Sequence, residues 1–257
     1  MKYITLSFDD GRLDTYMTAL PILEKNGIKC VINIATDFIL HPENYSDKII
    51  PNEAMSVEMV QDAYRRGHEI ASHGNCHKNS AEDITESIEL LRQWGINTDD
   101  IGFASPYSFI DEKSINTIDA LTGDGTISYV RSGTQARREG FFYRIAYALL
   151  LHIGSKSLFY FLNKSKAYEK SSIPGKIIKG ITVTNKTTVG QLTHFIEKMP
   201  DERCCVFILH SVADSKEQVK NNRWCWASEN LSALCEYMAN SPNVKTVLQN
   251  YITQNGD

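Results

Sequence analysis

The chain has 257 residues, 42% of them hydrophobic, and a formal net charge of −4 from 27 Lys+Arg against 31 Asp+Glu. That is enough apolar material for one substantial core, and a single domain spanning residues 1–257 is the expectation at this length. The acidic balance offers no basic field for nucleic acid, and no apolar run reaches transmembrane length.

Tyr3 to Phe8 mixes apolar and β-branched residues and predicts a buried strand, stopping at Asp9-Asp10-Gly11. The opening residues Met1-Lys2-Tyr3-Ile4 lack the cationic segment, apolar run and cleavage site of a secretory leader. The six cysteines (Cys30, Cys76, Cys204, Cys205, Cys225 and Cys235) show no CxxC pair and no disulfide-module spacing. Reduced thiols and a cytoplasmic location are therefore expected. Neighbouring side chains on an extended chain point in different directions, so one Asp can face a metal and the other a reacting water. A polar turn, or a cap on the following helix, is the plainer reading of the same residues.

Leu13 to Asn26 has helical spacing, with Pro21 inside it to kink or divide the helix and Asn26-Gly27 to stop it. Ile28 to Ala35 predicts a second strand, and residues 36–54 read as a loop. Ser56 caps a helix running to about Arg66. His68 to His73 is a short strand ending in a polar loop, with His73-Gly74-Asn75-Cys76-His77 at its end. Ser80 and Asp83 make a capping-box-like start for the next helix, whose apolar stripe is Ile84, Ile88 and Leu91. Then come a proline-broken strand end at Gly102 to Tyr107, short strands at Thr126–Arg131 and Ile177–Thr184, and a helix at Val189–Lys198. A strand at Cys204–Leu209, a helix at Ala227–Met238 and a last strand at Val244–Val247 complete the pattern. Strands alternating with helices mean a parallel sheet with helices outside it. Asp9-Asp10, His73 to His77, Ser105 to Tyr107, and His210 all follow strands, and in a parallel barrel such positions converge on one rim.

His73 and His77 are four residues apart, a spacing that lets both imidazoles point the same way in a turn. Two histidines and one aspartate make a three-ligand metal site open to water and substrate. Surface or capping histidines would show the same spacing. Cys76, between them, is read as pointing away.

In their order along the chain, these motifs resemble those of the polysaccharide deacetylase family, the NodB-homology carbohydrate esterases of family 4. Ser7-Phe8-Asp9-Asp10-Gly11 matches T/S-F-D-D-G fully. His73 and His77 match H-S/T-x-x-H, with Gly74 where a hydroxyl residue normally braces the loop. Ala104-Ser105-Pro106-Tyr107 keeps the Pro-Tyr of R-x-P-Y/F but not its Arg, and Ile208-Leu209-His210 fits L-x-H or L-H. The resemblance implies an α/β fold, a distorted (β/α)7 barrel, here with a mainly helical insertion around residues 134–176. It implies that Asp10, His73 and His77 hold a divalent metal, Zn2+ first among the candidates, and that Asp9 is the general base for a metal-bound water attacking an amide carbonyl. The backbone N–H of Tyr107 would be a second oxyanion donor and His210 would protonate the leaving amine. Leu209 would line the small acyl pocket, with Pro106 and Tyr107 also at the substrate. Family members keep a cation near the catalytic Asp; Arg131 is the candidate to replace the missing Arg, with a structural arginine as the alternative.

The activity implied is removal of an N-acetyl group from an N-acetylated sugar or glycan precursor. A formyl group, or a cyclic amide or imide, on the same fold is the second reading. An inactive carbohydrate-binding module is the third, favoured by the missing Arg and opposed by the retained Asp9, Asp10, His73, His77 and His210. The apolar runs Phe141–Leu151 and Leu158–Leu162, ringed by Arg137, Arg138, Lys156, Lys164, Lys166 and Lys170, allow a barrel-covering helix, a dimer contact, or a peripheral membrane contact through 141–162. With a membrane contact, a lipid-linked or envelope-precursor sugar becomes a natural substrate.

Overall fold

A computed structural model of the chain describes residues 1–46, 53–96, 100–133, 140–169 and 177–254. The first half runs β1 (Lys2–Phe8), α1 (Leu20–Lys25), β2 (Val31–Ile34), α2 (Thr36–Leu40), α3 (Val57–Arg65), β3 (Glu69–Ser72), α4 (Ala81–Gln93), β4 (Phe103–Ala104), α5 (Glu112–Gly123) and β5 (Val130–Ser132). Two helices follow, α6 (Phe141–Ile153) and α7 (Lys156–Asn163), then β6 (Tyr168–Glu169), β7 (Ile177–Lys179), β8 (Ile181–Thr182), α8 (Val189–Lys198) and β9 (Arg203–Leu209). The chain ends with β10 (Ser211–Ala213), α9 (Lys216–Asn221), β11 (Cys225–Ala227), α10 (Ser228–Asn240), β12 (Val244–Thr246) and α11 (Gln249–Gln254).

The strands β1, β2, β3, β4, β5 and β7 pair in sequence, all parallel. β8 pairs β9 and β9 pairs β1, so the ring closes through the two halves of the strand read as Ile177–Thr184. Gly180 divides those halves. A Cβ there would lie 2.6 Å from Ile208 Cγ1, so the missing side chain lets the bent strand lie against β9. The result is the distorted seven-stranded α/β barrel. Its distortion is visible at the strand starts, where β6 joins β9 antiparallel and β12 joins β1. β10 and β11 form a separate two-stranded sheet.

Strand alternation sorts the core into two faces. Ile4, Leu6 and Phe8 share a cluster with Phe207, Leu209, Phe195 and Leu231, between sheet and helices. Tyr3, Cys204, Val206 and Ile208 belong to an inner cluster with Ile178. The loop read over 36–54 instead contains α2 and a short 3-10 turn, Pro42–Tyr45, where the Phe38 and Tyr45 rings pack edge to face with centroids 5.4 Å apart. These turns are too short to show helical periodicity; residues 47–52 lie outside the described residues. Pro21 divides the first helix as expected. Its missing N–H cannot bond the carbonyl four residues back, and a π-helical turn, Thr15–Ala19, precedes α1. All six cysteines are free and all but Cys76 are buried.

The end of the barrel opposite the polar rim is fastened by the start of β3. His68 Nδ1 accepts the Cys30 N–H at 3.2 Å while its Nε2 meets Glu24 Oε1 at 3.0 Å. Glu69 is buried; it takes a 2.5 Å bond from the Tyr129 hydroxyl and a 3.0 Å bond from the Asn250 N–H. Burial pushes its carboxyl up to about 7. The folded state therefore holds a proton that the unfolded chain has released. Glu69's contribution to stability is complete below the ordinary Glu range and is lost as pH rises through about 7. Glu69→Gln keeps the shape and both partners without the charge. Its Tm relative to wild type should rise between pH 5 and pH 8, by up to about 3 kcal/mol of relative stability; a pH-independent Tm difference would contradict this.

Candidate active site

The rim is built where β1 runs out. Asp9 N–H still bonds the Leu209 carbonyl at 2.9 Å, which prolongs the β1–β9 ladder, and Asp10 then turns into the left-handed region with φ 79°. Both carboxylates are buried. Asp10 Oδ2 accepts from Arg12 Nε at 2.9 Å, and its other oxygen, Oδ1, lies 3.6 Å from both His73 Nε2 and His77 Nε2. Asp9 Oδ1 accepts from the Arg131 guanidinium and, at 2.8 Å, from Asn33 Nδ2. Asp9 Oδ2 is left facing His210 Nε2 at 3.6 Å and His73 Nε2 at 4.0 Å. Each carboxylate is thus anchored through one oxygen by an arginine and presents the other to the same space.

The histidine loop is oriented from beneath. His73 Nδ1 donates to the Ala104 carbonyl at 2.7 Å, which leaves the Nε2 lone pair facing the rim. His77 has φ 59°, and its ring meets that of Tyr107 with centroids 4.6 Å apart. The hydroxyl expected at position 74 is absent, and Asp83 does the bracing instead. Its carboxylate accepts the Cys76 N–H at 2.8 Å and the Lys78 N–H at 2.9 Å, and its carbonyl accepts the Asn75 N–H at 2.9 Å. Gly74 has φ +78°, and a Cβ there would stand 2.4 Å from Asp83 Oδ2. Glycine at this position follows from the choice of brace.

Burial pushes the imidazoles of His73, His77 and His210 down to about 4, so all three are neutral near pH 7. Burial acts upward on Asp10, but the Arg12 guanidinium and the facing imidazoles outweigh it and hold the carboxyl well below its usual range. One carboxylate oxygen and two neutral imidazoles are the donor set of an open divalent-metal site. Their separations are 3.2 Å between the two Nε2 atoms and 3.6 Å to the oxygen. Donors about 2.0–2.2 Å from one tetrahedral ion stand about 3.3–3.6 Å apart, so the residues fit the group. Asp10, His73 and His77 are the one such cluster among the described residues, and Cys76 lies outside it.

Arg131 is fully buried on β5, paired to Asp9. Its backbone carbonyl accepts the Ser105 N–H at 2.7 Å, so the strand that carries the arginine is locked to the third-motif turn. Pro106 is buried; Tyr107, at φ 56°, is 63% exposed, and both line a cleft with His77 and Asp111. Leu209 is placed differently from its expected role. Register pairs it with Phe8, on the helix-facing side, and pairs Ile208 with Ser7, on the interior side. The residue turned inward ahead of His210 is Ile208, because a shift of one residue changes faces. Arg12, Asn33 and Asp83 hold the site together, and motif reading passed over all three. Asn33 is detectable as a lone amide in the apolar strand Val31-Ile32-Asn33-Ile34, and the sequence marks Asp83 only as part of a helix start. Trp224, 40% exposed with its ring 5.0 Å from that of His210, was also passed over.

The polysaccharide deacetylase family model matches residues 1–123. A search of curated proteins finds no match. Among solved structures, the Bc1960 peptidoglycan N-acetylglucosamine deacetylase is similar at TM-score 0.56 and 14% identity, over 98% of this chain and 88% of that one. A family 4 acetyl xylan esterase from Clostridium thermocellum, in complex with a cobalt ion, is similar at TM-score 0.53 and 15% identity, over 98% and 90%. The deacetylase domain of BpsB from Bordetella bronchiseptica matches 49% of this chain at 19% identity and TM-score 0.42, and the match spans 62% of its own length. At these identities the likeness is one of fold.

Gly74→Ser would restore the family's hydroxyl on paper, but the left-handed backbone and the Asp83 carboxylate leave it no room. Zinc affinity by calorimetry should fall at least about tenfold for both Gly74→Ser and Asp83→Ala. Unchanged affinity in Gly74→Ser would show that Asp83 is not the brace.

Proposed function

We propose that this chain, whose residues 1–123 match the polysaccharide deacetylase family, is a divalent-metal-dependent hydrolase that removes an N-acetyl group from an N-acetylated sugar or glycan precursor. The observation that carries the reading is the convergence of Asp10, His73 and His77 as a donor set beside a separately anchored Asp9 and a neutral His210. The similar esterase is in complex with a cobalt ion, which supports a divalent metal for this chain. When bound, a divalent ion such as Zn2+ supplies Lewis-acid polarisation of the amide carbonyl and eases deprotonation of water.

The remaining work falls to the chain's own residues. Asp9 Oδ1 is occupied by Arg131 and Asn33, so Oδ2 is the oxygen that takes the proton of the attacking water. His210 starts neutral and must gain a second proton before it can act as the acid. Its Nε2 lies 3.6 Å from Asp9 Oδ2, and the proton taken from water passes by this route to the leaving nitrogen. One proton is taken and one is given, so the step balances. The backbone N–H of Tyr107 donates to the developing oxyanion. Pro106, Tyr107 and the inward Ile208 shape the acyl side, in place of Leu209. The exposed rings of Tyr107 and Trp224 flank the histidines and offer faces for a sugar ring. Arg131 beside Asp9 removes the main support for an inactive carbohydrate-binding module, since the cation missing from the third motif is supplied from β5.

Purified protein should release acetate from a panel of N-acetylated sugars, free and carrier-linked. Chelation should abolish the release, zinc should restore it, and Asp9→Asn should lower it at least about a thousandfold. Formate release from N-formyl sugars alone would replace the acetyl reading, and no release of either acid by metal-loaded protein would refute the hydrolase. Arg131→Ala should cost activity and also about 3–5 kcal/mol of stability, because Asp9 is left buried without its cation. Asp9→Asn with Arg131→Met should recover Tm while remaining inactive; a double variant no more stable than Arg131→Ala would mean that Arg131 acts by packing alone.

A further inference from the structure

The helix α6 is seated on the protein by one face and apolar on the other. Its inner side buries Leu150, and Tyr143 and Tyr147 line a cavity with Thr182 and Gln191, so the helix is docked rather than stray. Its outer side exposes Phe141 at 69%, Phe142 at 85% and Ile153 at 66%, with Ile145 and Leu149 on the same side. Steps of four residues put Ile145, Leu149 and Ile153 on one stripe. Phe161 on α7 adds a further ring, 63% exposed, with Lys164 Nζ 4.9 Å from its centroid. An exposed apolar stripe of this extent marks an interaction surface.

The charge around it selects the partner. Between Gly140 and Tyr168 there is no Asp or Glu, whereas Arg144, Lys156, Lys164 and Lys166 give the stretch a charge of +4 in a chain of net −4. Arg144, Lys156 and Lys164 are exposed. A second copy packed on the same patch would set these cations against each other, because a two-fold interface meets itself. An anionic lipid surface takes both features at once: aromatic and aliphatic side chains at the acyl boundary, cations at the headgroups. α6 has 13 residues, and no helix among the described residues is long and apolar enough to cross a membrane, so the helix lies in the plane of the surface.

We propose that the outer face of α6 and α7 docks the protein peripherally on an anionic bilayer. Thr182, on the inner side of α6, pairs with Ile208, two residues before His210, so the docked helix packs beside the strand that leads to the site. The docking stands on the surface itself and does not depend on the hydrolase reading. Arg137, Arg138 and Lys170 lie outside the described residues and are not needed for it.

Flotation of the full chain with phosphatidylcholine vesicles carrying about a third phosphatidylglycerol tests it. Wild type should co-float at least about fivefold more than with pure phosphatidylcholine, and added salt should lower the yield. Phe142→Asp and Ile145→Asp should each lose flotation with circular dichroism and Tm unchanged, both side chains being exposed. Wild type left at the bottom of the gradient with the anionic vesicles would overturn the proposal. So would flotation unaffected by both variants, or a sedimenting dimer that Phe142→Asp dissociates while wild type fails to float.

Discussion

The site depends on two buried carboxylate–arginine pairs at the end of one strand, Asp9 with Arg131 and Asp10 with Arg12. Taking four charged groups out of water costs several kcal/mol per ion, and the attraction within each pair offsets that only when the geometry is good. What the arrangement achieves is division of labour between oxygens. Each aspartate gives one oxygen to its arginine and keeps the other for the cavity, so adjacent residues with the same side chain face different tasks. The backbone contributes as well. Asp10, His77 and Tyr107 all adopt positive φ, a conformation that costs a non-glycine residue about 1–3 kcal/mol and that persists where surrounding contacts over-determine it.

The two ends of the barrel are stabilised by different means. At the starts of the strands, Glu24, His68 and Cys30 on one side and Glu69, Tyr129 and Asn250 on the other form hydrogen-bonded knots that tie β3 to its neighbours. The Cys30–His68–Glu24 contact resembles a nucleophile relay only in residue types, for burial pushes the Cys30 thiol far above its ordinary value and His68 accepts a backbone N–H. At the ends of the strands, the polar groups are held one-sidedly and face one another. The helix α6 lies beside β8, whose Thr182 pairs with Ile208 on the strand that leads to His210.

Much of this was legible in the sequence because it is local. Asp9, Asp10, His73, His77 and His210 are ordered motifs that follow strands, and Arg131 could be nominated because a cation was missing elsewhere. Long-range partnerships were not legible. Arg12 follows the motif but nothing local says that it folds back on Asp10; Asn33 and Asp83 act across gaps that only the sheet closes. Leu209 and Ile208 are equally apolar, and strand register alone decides which faces inward. The single strand read over 177–184 became two because a glycine can be a spacer or a notch, and only the neighbouring Ile208 distinguishes these. Gly74 stands where the motif has a hydroxyl residue, and only the fold shows that Asp83 requires the space a side chain would fill.

The central claim is that one oxygen of Asp10 joins His73 and His77 around a single ion while the other stays on Arg12. Anomalous diffraction from zinc-soaked crystals tests this directly. The account predicts one strong peak about 2.0–2.2 Å from Asp10 Oδ1, His73 Nε2 and His77 Nε2, with the Arg12–Oδ2 bond intact. A peak elsewhere, or an Asp10 that abandons Arg12 to bind through Oδ2, would contradict it.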